Sequence, residues 1–273
     1  MATSRTQALA ERWPPDHPMR ARIARYAAYL VLLVVIVAGF NHLRLPVERL
    51  PDGMREILLV IGQRMFPPDF GYAADRLVQP FVETFAMAFA GTVLGIVISV
   101  PLAWFAAANM TPSPRILYPL VRVLLVIARS IHEIIWAMLL VAILGFGPLA
   151  GLIVLTIDFI GFGSKLLAES IESADMKPVE AIRAAGGNRV RQMVMGVVPQ
   201  LAPVWVGIFV YGWDIVLRAS FVLGLVGAGG VGAQLHGAVE SLSYERLGAI
   251  LIIIIAIVVA SEAVSAHLRA RVR

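Results

Sequence analysis

Eleven ionisable residues interrupt otherwise apolar stretches of this chain: Glu83, Arg122, Arg129, His132, Glu133, Asp158, Lys165, Glu169, Asp214, Arg218 and Glu262. Placed in lipid at the bilayer centre, such a group costs about 2.5–3.5 kcal/mol or more, so each marks a place where pairing or function must offset it. Glu83, Lys165, Glu169 and Glu262 stand near the ends of apolar segments, where a long side chain reaches the interface. Arg129, Glu133, Asp158, Asp214 and Arg218 are harder to place. Arg129 and Glu133 are four residues apart, as are Asp214 and Arg218, and a helix would put each pair on one face. Two readings stay open. The pairs are intrahelical ion pairs that lower the cost of burial, or an arginine faces a path and helps an anion through, its planar fork of donors suiting a phosphonate or phosphate. His132 is read as a packed, hydrogen-bonded residue in preference to a proton relay. The run Gly224–Gly232 lacks the lysine and preceding strand of a phosphate-binding loop. It is read as close packing or a mobile re-entrant turn at the outer mouth, a gate built on Gly227, Gly229 and Gly230.

The elements that must hold these groups are set by composition. The chain has 273 residues, 59% hydrophobic and only 15% charged, with a mean hydropathy of +0.81. Soluble domains carry about 25% charged residues. A domain of this length has no core large enough for so much apolar surface. Disorder and collagen-like fibres are excluded by the same figures. With no cysteine, disulfides, zinc–thiolate sites, thiol nucleophiles and cysteine-bound iron–sulfur clusters are excluded too. The fold class expected is all-α, a polytopic membrane protein. Six segments reach the ~20 apolar residues a spanning helix needs: Arg25–Asn41, Val78–Ala108, Ile116–Leu144, Pro148–Ile171, Met193–Ser220 and Tyr244–His267. The first has basic residues ahead of it but no small-residue cleavage site after it, and is read as an uncleaved anchor. Pro101, Pro199 and Pro203 mark expected bends. Between the first two spans, Met54, Ile57, Leu58, Ile61 and Met65 recur at helical spacing, the pattern of a short amphipathic helix lying at the interface or packed on other helices.

The formal charge of +5 comes almost wholly from 21 arginines. They sit beside apolar segments, where they set orientation, and nucleic acid is not an expected partner. With the N-terminus inside, 13 of the 23 basic residues fall in inner pieces and 6 in outer ones. That excess puts both termini in the cytoplasm. The chain divides on this reading into 1–77, a cytoplasmic start, first span and outer amphipathic segment, and 78–273, a five-helix core.

One inner loop, residues 172–191, is built to be seen. Pro178 suits the first helical position after Asp175 or Lys177, and Gly186 suits the stop, which predicts an eight-residue helix about 12 Å long. So short a helix is marginal alone and needs a partner. Glu180-Ala181-Ile182, then Gly186, then Val198-Pro199 resembles the EAA signature of ABC importer permeases: Glu-Ala-Ala, three residues, Gly, nine residues, Ile-x-Leu-Pro. The spacing agrees throughout. Ile182 replaces the second alanine, Gly196 the isoleucine and Val198 the leucine. Glu83–Gly95 resembles the opening span of the core in these permeases. Ala128–Glu133 resembles their Arg-Ser-Ile-Pro-Glu segment, with His132 where proline is usual. Leu223–Gly232 resembles their Gly-rich segment, and the Arg218 neighbourhood is similar to the phosphonate importer permease group.

The resemblance covers roughly residues 78–268 and implies a permease subunit that carries phosphonate or a related phosphorus oxyanion by alternating access. It implies pairing with a second permease copy or paralogue, an extracytoplasmic substrate-binding protein, and ABC ATPase subunits that hold ATP and Mg. This chain would carry no cofactor, no metal and no catalytic residue. Glu180, Ala181, Arg183, Gly186 and Pro199 would meet the ATPase. Arg129, His132, Glu133, Asp158, Asp214, Arg218 and the three gate glycines would line the path. The competing expectations are a permease for another small solute, a proton-coupled secondary transporter in which Glu133, Asp158 or Asp214 titrates, and a membrane-embedded enzyme. No His-Glu-x-x-His or comparable constellation supports the last.

Overall fold

The computed structural model describes residues 18–42 and 49–272. Among these residues there is no strand. The chain forms two units, Met1–Leu58 and Leu59–Arg273. The first contains α1, Pro18–His42, a long helix with Ile23, Tyr26, Leu30, Leu33 and Val37 all exposed. A helix apolar all round is one that lipid solvates. Helix α2, Leu50–Leu59, is followed by a π turn, Val60–Arg64. It realises the amphipathic segment, and none of its residues is buried.

The second unit continues with α3 (Phe70–Arg76), α4 (Val78–Ala106), α5 (Leu117–Ser130), α6 (Glu133–Leu144), α7 (Pro148–Glu172), α8 (Lys177–Ala184), α9 (Val198–Leu223), α10 (Gly230–Glu240) and α11 (Tyr244–Val272). Its centre is the α4–α7 pair, crossed by α9. Membrane helices have no hydrophobic drive to associate, so close approach over small residues must hold them. Gly91 lies against Leu155, where a Cβ would stand 2.9 Å from the leucine Cβ, and Gly95 lies against Phe159 at 2.6 Å. Phe159 is fully buried, and Gly212 of α9 leaves room for its ring from the other side. Gly95→Val is therefore expected to destabilise the unit by roughly 1–3 kcal/mol through overpacking. A lowered melting temperature in detergent micelles, with insertion unchanged, is the check.

Among the described residues five helices are long and apolar enough to cross a membrane, and a sixth span exists if a broken pair is counted as one. That pair falls in Ile116–Leu144, a segment longer than a span requires, and the excess length is taken up by a sharp bend. Helices α5 and α6 meet at 88°. Ile131 and His132 are both extended (ψ 123° and 144°), which ends one helix, and His132 starts the next by accepting the Ile134 N–H on Nδ1 at 3.4 Å. The fifth apolar segment also differs. It opens through a π turn at Gln192–Val197 before the regular α9 begins.

Candidate functional site

The loop helix α8 has both ends finished. The Asp175 carboxylate accepts the Lys177 N–H at 3.0 Å, and Pro178 occupies the first turn, where an N–H has no partner to lose. At the other end Gly187 N–H donates to Ile182 C=O at 2.8 Å and Gly186 N–H to Arg183 C=O at 3.0 Å. This double closure needs a left-handed residue at position 186, and Gly186 has φ +80°. Val179 is fully buried and Ile182 half-buried, while Glu180, Ala181, Arg183 and Ala184 are exposed. One face is thus spent on the protein and the other is open.

The buried face rests on the π turn below α9. A Cβ at Gly196 would stand 2.9 Å from Val179 Cγ2 and 3.3 Å from Ile182 Cδ1. Two of the three departures from the signature, Ile182 and Gly196, are therefore one event: a large residue on α8 met by none on the turn. Pro199 is exposed in the first turn of α9. Beside it Gln200 accepts the Asp175 N–H at 3.2 Å and donates to Asp175 C=O at 3.1 Å. Asn188 caps the following turn by accepting Arg191 N–H, Gln192 donates to Gly187 C=O, and Arg189 donates to Thr111 C=O at 3.0 Å. Sequence reading passed over Gln200, Asn188 and Gln192; a run of amides flanking a glycine-ended helix was the available signal. Above the loop, Arg122 bonds Glu172 at 2.6 Å and Ala106 C=O at 2.9 Å, and Glu172 also accepts the Ala108 N–H. The ends of α4 and α7 are thereby tied to α5.

Neither intrahelical ion pair forms. Asp214 is buried at 5% exposure, but its partner is Arg269, at 3.1 Å from Oδ2. Ser261 and Ser265 donate to Oδ1 at 3.1 and 2.7 Å, and Arg269 also reaches Glu262 at 3.1 Å. The three donors lie four residues apart on α11, one above another. Arg218 is exposed, and among the described residues it has no hydrogen bond or ion pair. It opens onto a cavity of about 870 Å³ lined along one face of α9 by Pro203, Gly207, Tyr211, Asp214 and Arg218, and closed by Glu262 and Arg269.

Arg129 and Glu133 fall on different helices, on either side of the break. His132 and Glu133 approach to 3.7 Å, and Asp158, half-buried on α7, lies within electrostatic reach of both. Gly161 lets α7 touch the backbone of Arg129, whose side chain is exposed. The structure thus gathers Arg129, His132, Glu133 and Asp158 around one interruption of the fold, apart from Asp214 and Arg218.

The glycine run is a tight corner and not a slack loop. After a 3₁₀ turn at Gly224–Val226, Gly227, Gly229 and Gly230 take φ of +97°, +81° and +70°. Helix α10 begins there and finds its caps on α4: Glu83 accepts Gly230 N–H at 3.2 Å, and Thr84 accepts Val231 N–H at 2.9 Å. A side chain at Gly230 would overlap the Thr84 hydroxyl. Gly147 N–H donates to Gly227 C=O, which fixes the corner to the start of α7.

Residues 99–273 match the family model described as binding-protein-dependent transport system inner membrane component. The chain is 38% identical over 241 residues to the phosphite transport system permease protein PtxC of Stutzerimonas stutzeri, which covers 88% of this chain and 86% of that one. It is 37% identical over 261 residues to the phosphate-import permease protein PhnE of Mycolicibacterium smegmatis, covering 94% of this chain and 48% of that longer one. The fold is similar to a chain of an inward-facing MetNI methionine ABC transporter, with a TM-score of 0.64 at 22% identity, over 72% of this chain and 96% of that one.

Proposed function

The chain belongs to the family of binding-protein-dependent transport system inner membrane components, and on that premise we propose that it is the permease subunit of an ATP-driven importer of phosphonate or a related phosphorus oxyanion. The substrate class is supported by relatives named for phosphite and phosphate import that match most of this chain. The observation that carries the mechanism is α8, a short helix finished at both ends, buried on one face and bare on the other. Such a rod has few internal degrees of freedom and a ready surface for a second protein. Glu180, Ala181, Arg183 and Gly186 meet the ATPase, with Pro199 at the foot of α9, and ATP and Mg are held on that separate subunit. A second permease copy or paralogue and an extracytoplasmic binding protein complete the transporter. Residues 78–273 form the core, residues 1–77 its appendage, and both termini face the cytoplasm.

The path runs past the α9 cavity, by alternating access. Asp214 and Glu262 against Arg269 leave one negative charge, and Arg218 restores neutrality. A neutral, wettable wall with one unengaged guanidinium lets an oxyanion pass without holding it, and specificity then rests with the binding protein. Arg129, His132, Glu133 and Asp158 at the break give a second polar station. Gly227, Gly229 and Gly230 form the outer gate, hinged on Glu83 and Thr84.

Reconstitution in proteoliposomes with the ATPase and binding protein tests this directly. Uptake of phosphite, methylphosphonate or phosphate that requires ATP hydrolysis is expected, and uptake driven by a pH gradient with no ATPase present overturns it. Arg218→Ala is expected to lower the uptake rate about tenfold, the loss of one charge-assisted contact, with assembly unchanged. Unaltered uptake in an intact complex would remove Arg218 from the path.

A further inference from the structure

Of the contacts that hold α8, those of Gln200 are unlike the rest. Its carboxamide meets Asp175 on both sides, accepting the backbone N–H at 3.2 Å and donating to the C=O at 3.1 Å. The same Nε2 donates to Gly196 C=O. The amide acts as a neighbouring strand's peptide would, pairing in full with one residue of a loop 25 positions away. Asp175 in turn caps α8 through Lys177 N–H. A continuous line of bonds therefore runs from the first turn of α9, through Gln200 and Asp175, into α8. The apolar contact follows the same line, with Val179 and Ile182 seated on Gly196. Toward α7 the ties are of another kind: Val179 shares a buried apolar cluster with Leu167, Ala168 and Ile171, and Asn109, from the segment after α4, donates to Ile171 C=O at 2.9 Å and to Met176 Sδ at 3.5 Å. Among the described residues no side chain of Lys177–Ala184 bonds to α7, and the connection is a turn closed by Ser173 N–H to Glu169 C=O and Ala174 N–H to Ile171 C=O.

We propose that Gln200 is a positioning residue that locks α8 to α9, so that the two move as one body and the turn 173–176 is the joint at which α7 and α8 change angle. This rests on the reading of α8 as the ATPase-docking helix. The stroke then enters the membrane along α9, the helix that carries Asp214 and Arg218 and that meets α7 through the Trp205 bond to Ser170 at 2.9 Å.

The absence of cysteine suits this chain to the test, because introduced cysteines are the only sites on it that a thiol-directed spin label can take, once the partner subunits are used in cysteine-free form. Ala185→Cys with Val206→Cys spans α8 to α9, and Ala185→Cys with Glu169→Cys spans α8 to α7; all three positions are exposed. In the full complex with ATPase and binding protein, the first distance should be the same without nucleotide and in the vanadate-trapped state. The second should change. Gln200→Leu removes every bond at similar side-chain size and is expected to broaden the first distance. It should also cut substrate moved per ATP hydrolysed about tenfold. Gln200→Glu keeps the acceptor for Asp175 N–H and should fall between, which covers the case that the leucine variant fails to assemble. An ATP-dependent parent whose first distance moves as much as the second overturns the inference alone, as does a Gln200→Leu complex that couples like the parent. Uptake by the parent that needs no ATPase overturns the docking reading itself.

Discussion

Gly196→Ile, which restores the residue the EAA signature ordinarily carries, is expected to abolish ATP-driven uptake. The reason is steric. A bare Cβ at this position already stands 2.9 Å from Val179 Cγ2, and isoleucine adds three further carbons toward Ile182. Overpacking of this kind costs roughly 1–3 kcal/mol where a core can adjust. Here the element displaced is an eight-residue helix with little stability of its own. It should leave its seat before the membrane helices yield, taking Glu180 and Arg183 with it. The purified permease is then expected to keep its spans and its melting transition while losing the ATPase on copurification. Adding Ile182→Ala should recover much of the loss, since it opens the space the new side chain needs. A coupling energy of about 1 kcal/mol or more between the two substitutions would show that the residues share one site. Strict additivity would mean that Gly196 acts elsewhere.

The second large effect falls on the opposite face of the same helix. Glu180→Arg reverses a charge in the first turn of α8 and touches no packed neighbour, because Glu180 is exposed. Within the helix the cost is small, about 0.3–1 kcal/mol from placing a cation at the positive end of the dipole. At the surface proposed to meet the ATPase it is larger. Glu180 is flanked by Ala181 and Ala184, small exposed residues that let another protein approach the backbone closely. A reversed charge in the middle of such a patch costs about 2 kcal/mol or more, near 30-fold in affinity. ATP hydrolysis by the mixture should no longer rise with loaded binding protein, and uptake should fall accordingly. Glu180→Gln, which keeps size and hydrogen bonding, should lose less. Equal behaviour of the glutamine and arginine variants would point to shape, with charge playing no part.

The parts of this molecule that were legible in its sequence are those governed by neighbours in the chain. Pro178 and Gly186 announce a helix start and stop because caps are local chemistry, and α8 lies between them as expected. The apolar segments announce spans for the same reason, and the all-α fold followed. The length of Ile116–Leu144 allowed for a bend, but its place at Ile131–His132 was invisible because hydropathy averages over a window, and both halves of Leu117–Leu144 are apolar. What divides them is the extended conformation of two residues. Of the two readings open for the charge spacing, the intrahelical pair fails for a related cause. Spacing within one helix offers Arg218 to Asp214, but the burial of Asp214 is satisfied by Ser261, Ser265 and Arg269 on another helix, and no local pattern encodes that. The bracket at Gln200 belongs to the same class, an amide whose partner is a backbone 25 residues earlier.

The Asp214–Arg269 contact also bears on how the protein is made. Its partners are 55 residues apart, and α9 is synthesised before the residues that neutralise it exist. While α10 and most of α11 are still being translated, Asp214 sits in a hydrophobic segment as an unanswered carboxylate. The partners that answer it, Ser261, Ser265 and Arg269, all lie on α11, so the buried carboxylate is satisfied only when that helix stands beside α9.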